Sequence, residues 1–127
     1  MEVKIDTREK FHAITIQEAS LAANMTEELD NRLRPILQSD VKNVVLNLQD
    51  IHSIDNGSAQ RLVHLQQLFY ENNASFVICN MRPEVEKTFD KTNLLELLNF
   101  TPTESEAWDI VQMEEIEREL MDGEFDS

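Results

Sequence analysis

The chain has two glycines in its 127 residues, at positions 57 and 123. A G-x-G-x-x-G dinucleotide fingerprint needs three, and the two present are too far apart for a glycine-rich phosphate loop. Cysteine is scarcer still. The single thiol, Cys79, lies in the apolar run SFVIC, which rules out a disulfide framework and fits a reducing, cytoplasmic setting. No basic residue flanks it, so it reads as packing rather than as a nucleophile. The first seventeen residues, MEVKIDTREKFHAITIQ, lack the basic-then-apolar order of a secretory signal. No uninterrupted apolar stretch reaches about 18 residues, so no membrane span is expected.

Positive charge is also in short supply. Eleven Lys and Arg face twenty-five Asp and Glu, for a formal charge of −14. Nucleic-acid binding and docking on an anionic membrane both need clustered cations, and both are disfavoured. A protein with a basic or mixed surface is the compatible partner. The deficit is uneven: Thr103–Ser127 holds ten carboxylates and only Arg118, a local charge of −9. The three histidines, His12, His52 and His64, lie far apart without a second ligand at helical spacing, so no metal site is expected. No cofactor is called for.

What is present is one domain's worth of alternating elements. Val3–Asp6 and Phe11–Ile16 read as two strands around a polar turn, with the period-two pattern of a half-buried antiparallel pair. Leu21–Asn24 reads as a connector. A helix opens at Thr26, with Met25, Leu29, Leu33, Ile36 and Leu37 as its inner stripe, and Pro35 predicts a kink or an early end. Asn43–Leu48 is the central buried strand, and Ser58–Tyr70 is an amphipathic helix closed by Glu71-Asn72-Asn73. Ser75–Cys79 is a further buried strand. Pro83 suits the first turn of a helix over Glu84–Lys91. Leu94, Leu95, Leu97, Leu98 and Phe100 predict a helical turn running into an edge strand. Glu104-Ser105-Glu106 starts a last helix whose apolar face is Ala107, Trp108 and Val111, with Met113, Ile116 and Leu120 as its expected continuation. The order β-β-α-β-α-β-α-β-α implies an α/β fold with a mixed sheet. The expected domain is 1–121, followed by an acidic, disordered tail at 122–127.

The chemistry concentrates between the central strand and its helix, in IHSIDNGS. Asp55-Asn56-Gly57-Ser58 is a polar loop delivered to a helix N-terminus, where free N–H groups and the positive end of the dipole favour an anion or a hydrogen-bonding partner. Asp55 is open to two readings, an interface residue or an N-cap worth about 1 kcal/mol. Asn56 and Ser58 are equally good caps, and Gly57 reads as a position needing positive φ. Asp50 and Asp55 are carboxylates five apart across a bend, and nothing secures them as an acid–base pair, so no catalytic residue is assigned.

The element order and the phrase NVVLNLQDIHSIDNGSAQRL together resemble the STAS domain of anti-sigma factor antagonists. Val44, Val45, Leu46 and Leu48 match the family's strand, Ile51 its apolar anchor, and Ile54-Asp55 the entry to its loop. The likeness continues through SFVICNMRPEVEKTFDKTNLLELLNFTPTESEAW and covers roughly Val3 to Val111. It departs at the loop: Asn56 stands where the family's phosphorylatable serine would be, Gly57 where a second Ser or Thr sits, and Ser58 where the glycine sits. The resemblance implies a bacterial, cytoplasmic, non-enzymatic partner-switching module that binds an ATPase-fold anti-sigma factor or serine kinase. The expected contacts are Asp55, Asn56, Gly57, Ser58, Gln60, Arg61 and His64. With no hydroxyl at position 56 the classical serine switch is lost, leaving Ser58 as a shifted site. Two alternatives belong to other classes: a scaffold dimerising through the acidic C-terminal helix, where Ile116 and Leu120 lie four apart among glutamates, and a sensor of a small anionic ligand or nucleotide.

Overall fold

Three runs rich in β-branched and aromatic residues occupy the middle of one sheet. In the computed structural model, which describes residues 1–126 with side chains through Met121, they are β2 (Phe11–Ile16), β4 (Asn43–Asn47) and β6 (Phe76–Cys79). β1 (Val3–Thr7) pairs antiparallel with β2, whereas β4, β6 and β7 (Phe100–Thr101) continue in parallel, giving the order β1-β2-β4-β6-β7. The architecture is the expected mixed α/β sheet. Parallel strands need crossovers, and the helices supply them.

Alternate side chains of the central strands feed two separate cores. Ile14, Ile16, Val44, Leu46, Phe76 and Ile78 point to one face, where α1 (Thr26–Leu33), α2 (Asn56–Glu71) and α3 (Pro83–Lys91) add Leu29, Leu62, Phe69, Val85 and Phe89. Phe11, Ala13, Val45, Val77 and Cys79 point to the other, covered by Ala107 and Val111 of α4 (Glu104–Asp126). β2 is therefore buried on both faces, contrary to the half-buried alternation expected of it; only edge strand β1 is largely exposed. The reason is positional: β2 pairs with β4 as well as with β1, which makes it an interior strand.

Proline and asparagine set the boundaries. Pro35 ends α1 as an α-helix, and the chain continues as a 3₁₀ stretch, Arg34–Gln38. α2 and α3 stop in the same way. Asn73 and Asn93 take φ of 59° and 61°, and Ala74 and Leu94 donate back to the carbonyls of Phe69 and Phe89, both at 2.9 Å. This is the Schellman arrangement, with asparagine in the place usually held by glycine. The leucine-rich stretch gives a 3₁₀ turn at Leu95–Leu97 before β7, as expected.

Two short strands were not anticipated. β3 (Ser20–Leu21), within what reads as a connector, pairs in parallel with β5 (Ser53–Ile54). Two-residue strands carry no periodicity for a sequence to display. The tail expected at 122–127 lies outside the residues whose side chains are described.

Candidate functional site

Asp55 sits at the C-terminal end of the parallel strands with extended backbone, φ −87° and ψ 170°, immediately before α2. One carboxylate oxygen accepts the Ser58 N–H at 2.8 Å. The other accepts the Ala23 N–H, also at 2.8 Å, at the start of a 3₁₀ turn over Ala23–Met25. One side chain thus caps two helical segments. The N–H groups of Ser58 and then Ala23 hold the carboxyl below its ordinary value near 3.8, outweighing partial desolvation. Both oxygens are spent on N–H groups, an arrangement that suits a cap and leaves no free acid–base pair.

The loop after β2 and the loop before α2 are tied together around this cap. Besides the β3–β5 ladder, His52 donates to the Ala19 carbonyl at 2.7 Å and Asp55 to the Leu21 carbonyl at 3.2 Å. Gly57 takes a helical rather than a positive-φ conformation, which corrects the sequence reading. Its small size matters for a different reason: a Cβ there would lie 3.2 Å from the Ala23 Cβ. The glycine lets two backbones approach. Sequence could not show this, because Ala23 is 34 residues away along the chain and carries no motif.

Of the expected contact residues, Asp55, Asn56, Gly57, Gln60 and His64 are exposed, and the four-residue steps from Asn56 to Gln60 to His64 line one outward face of α2. Ser58 does not belong with them. It is fully buried, and its hydroxyl has no hydrogen-bond partner. With Asp55 as the cap, the third helical position faces inward, and the Ser58 hydroxyl does not reach the surface. Arg61 is half-buried and lies 3.3 Å from Asp30 of α1, which Arg34 also approaches at 3.4 Å. Its guanidinium braces two helices. The loop after β6 joins the same end through Arg82, which donates to the Gln49 carbonyl at 2.8 Å. Cys79 is buried at the end of β6, and burial pushes its thiol up to about 12, so it is inert as a nucleophile. The surface offers amide and imidazole groups at the start of α2.

Comparison with known proteins agrees with this architecture. The family model for the STAS domain matches residues 2–107. Among solved structures, SpoIIAA of Bacillus, an anti-sigma factor antagonist in its unphosphorylated form, is 18% identical with a TM-score of 0.69, covering 87% of this chain and 96% of its own. RsbS of Moorella thermoacetica, in a serine-to-glutamate variant, is 18% identical with a TM-score of 0.72, covering 88% and 96%. An anti-sigma factor antagonist of Mycobacterium paratuberculosis is 11% identical with a TM-score of 0.75, covering 87% and 93%.

Proposed function

The chain belongs to the STAS domain family, and from that premise we propose that it is a bacterial, cytoplasmic, non-enzymatic regulatory module of a partner-switching circuit. Its partner is an ATPase-fold anti-sigma factor or serine kinase. The contact is the exposed start of α2, Asp55, Asn56 and Gly57, continued along the helix by Gln60 and His64, with Arg61 at the margin. One observation carries this reading: a doubly tied cap holds Asn56 and Gly57 exposed on the first turn of a helix. Asn56 takes the place of a phosphorylatable serine, so position 56 gains no phosphate charge and the loop stays permanently competent to dock. The burial of Ser58 supports that, since it removes the neighbouring hydroxyl from reach.

The anionic-ligand reading loses ground for a physical reason. The Asp55 carboxylate already occupies the positive end of the α2 dipole, and a second anion would meet it at close range. The dimeric scaffold draws instead on α4 and is weighed with the stripe described below.

The test uses the ATPase-fold kinases captured by this protein from its native cells, re-expressed and titrated one by one by calorimetry. Asn56→Asp brings a negative charge to the proposed contact, and affinity should fall about tenfold or more. Unchanged affinity removes the loop from the interface. Intact mass after incubation with kinase and Mg-ATP should show no added phosphate.

A further inference from the structure

Helix α4 has two apolar sides, and only one is covered. Ala107 and Val111 pack under the sheet, and Glu115 and Arg118 hold the helix to β4 and β6. At about 100° per residue, Met113, Ile116 and Leu120 fall roughly opposite that inner line. They are 59%, 56% and 64% exposed, so they do not continue the covered face as the sequence suggests. Of the six large apolar side chains most exposed among the described residues, four lie on α4 between Met113 and Met121. Scattered exposed apolar residues are ordinary, but spacing of i, i+3 and i+7 on one helix is the seam of a helix–helix contact.

The charged side chains that α4 itself places around this seam have one sign. Glu106, Asp109, Glu117 and Glu119 flank or cap the stripe, and all four project from the exposed side of α4. The nearest cation beside them, Lys10, reaches only 4.0 Å from Glu119. Two copies of α4 laid seam to seam would set these carboxylates against each other well within the Debye length of about 8 Å. A helix carrying Lys or Arg on either side of its own apolar stripe would neutralise them instead.

We propose that the outward face of α4, centred on Met113, Ile116 and Leu120, is a second docking surface that takes a basic amphipathic helix of a partner protein. It lies on the opposite face of the sheet from α2, so it can be occupied together with the loop around Asp55.

Two dye-labelled helical peptides with the same i, i+3, i+7 leucine seam, one flanked by lysines and one by glutamates, test this against the full chain by fluorescence anisotropy. The lysine peptide should bind and the glutamate peptide should not. Binding should weaken as salt rises from about 50 to 300 mM, and Ile116→Gln and Leu120→Gln should each lower it about tenfold or more. Both positions are exposed, and circular dichroism of each variant verifies the fold. Binding of neither peptide, equal binding of both, or binding that survives both substitutions overturns the proposal. Light scattering on the unliganded chain supplies a further arm: a dimer that Ile116→Gln makes monomeric assigns the stripe to a second copy and also overturns it.

Discussion

Each end of the sheet is tied by one short polar side chain, and the two ties behave differently. At the N-terminal ends of the parallel strands, Asn43 is 3% exposed. Its amide donates to the Lys10 carbonyl and to Glu115, both at 2.8 Å, and its oxygen accepts from Ser75 N–H at 2.7 Å and Arg118 at 3.2 Å. All four of its hydrogen-bonding positions are used, joining the β1–β2 turn, β4, β6 and α4. At the opposite end, Asp55 is exposed and bonds one N–H group of each of two helical segments. A buried tie is expensive to break because its partners are stranded without water; an exposed one is cheap because water replaces it. The same kind of contact therefore secures the fold at one end and, at the other, underlies the surface proposed for docking.

Breaking the buried tie should have the largest effect. Asn43→Ala strands the buried Ser75 N–H and takes one partner each from Glu115 and Arg118, which keep their own ion pair, and should cost about 2–4 kcal/mol, read as a lower urea midpoint at constant slope. Asp55→Ala should cost less, about 1–2 kcal/mol, while partner affinity falls further than stability does. A loss as large as that of Asn43→Ala would erase the contrast.

Acid should sharpen it. Asp55 has a folded pKa below its unfolded value, held there by Ser58 and Ala23. Its contribution is complete above the unfolded value near 3.8 and is lost as pH falls through the folded one. Glu115 titrates in the same direction, since hydrogen bonds from Asn43 and Arg118 outweigh the burial that would raise it. Asp55→Asn should flatten part of the acid limb below about pH 4 in a stability–pH series, leaving the Glu115 part in place. The smallest effect belongs to Ser58→Ala. It removes a buried hydroxyl that has no partner, so stability should stay within about 0.5 kcal/mol of the parent or rise slightly. A larger loss would show that the hydroxyl is bonded after all.

Much of the fold could be read from residue order, because burial writes itself into apolar periodicity. The strands expected at Asn43–Leu48 and Ser75–Cys79 lie at Asn43–Asn47 and Phe76–Cys79, each within one residue, and the Leu62–Phe69 stripe is where that signal placed it. Pro35 stopped its helix for a reason local to one ring. The site was legible in part. Asp55 reads as a cap from its type and place, and it is one, but its second bond runs to Ala23, 32 residues earlier. The inward turn of Ser58, the tethering of Arg61 to Asp30 and the helical backbone of Gly57 were not legible. Each depends on which distant segment lies alongside.

Composition and periodicity alone settled the acidic character, the alternation of strands and helices, and the position of the polar loop ahead of α2. These are properties of neighbouring residues, and hydrophobic patterning and backbone propensity act over a few positions. Only the tertiary structure decided which loop side chains face outward, that β2 is interior, and that α4 keeps an uncovered apolar side. Those outcomes turn on packing between segments far apart in the chain, where a single close approach, such as Gly57 against Ala23, selects one arrangement from several that local sequence permits equally.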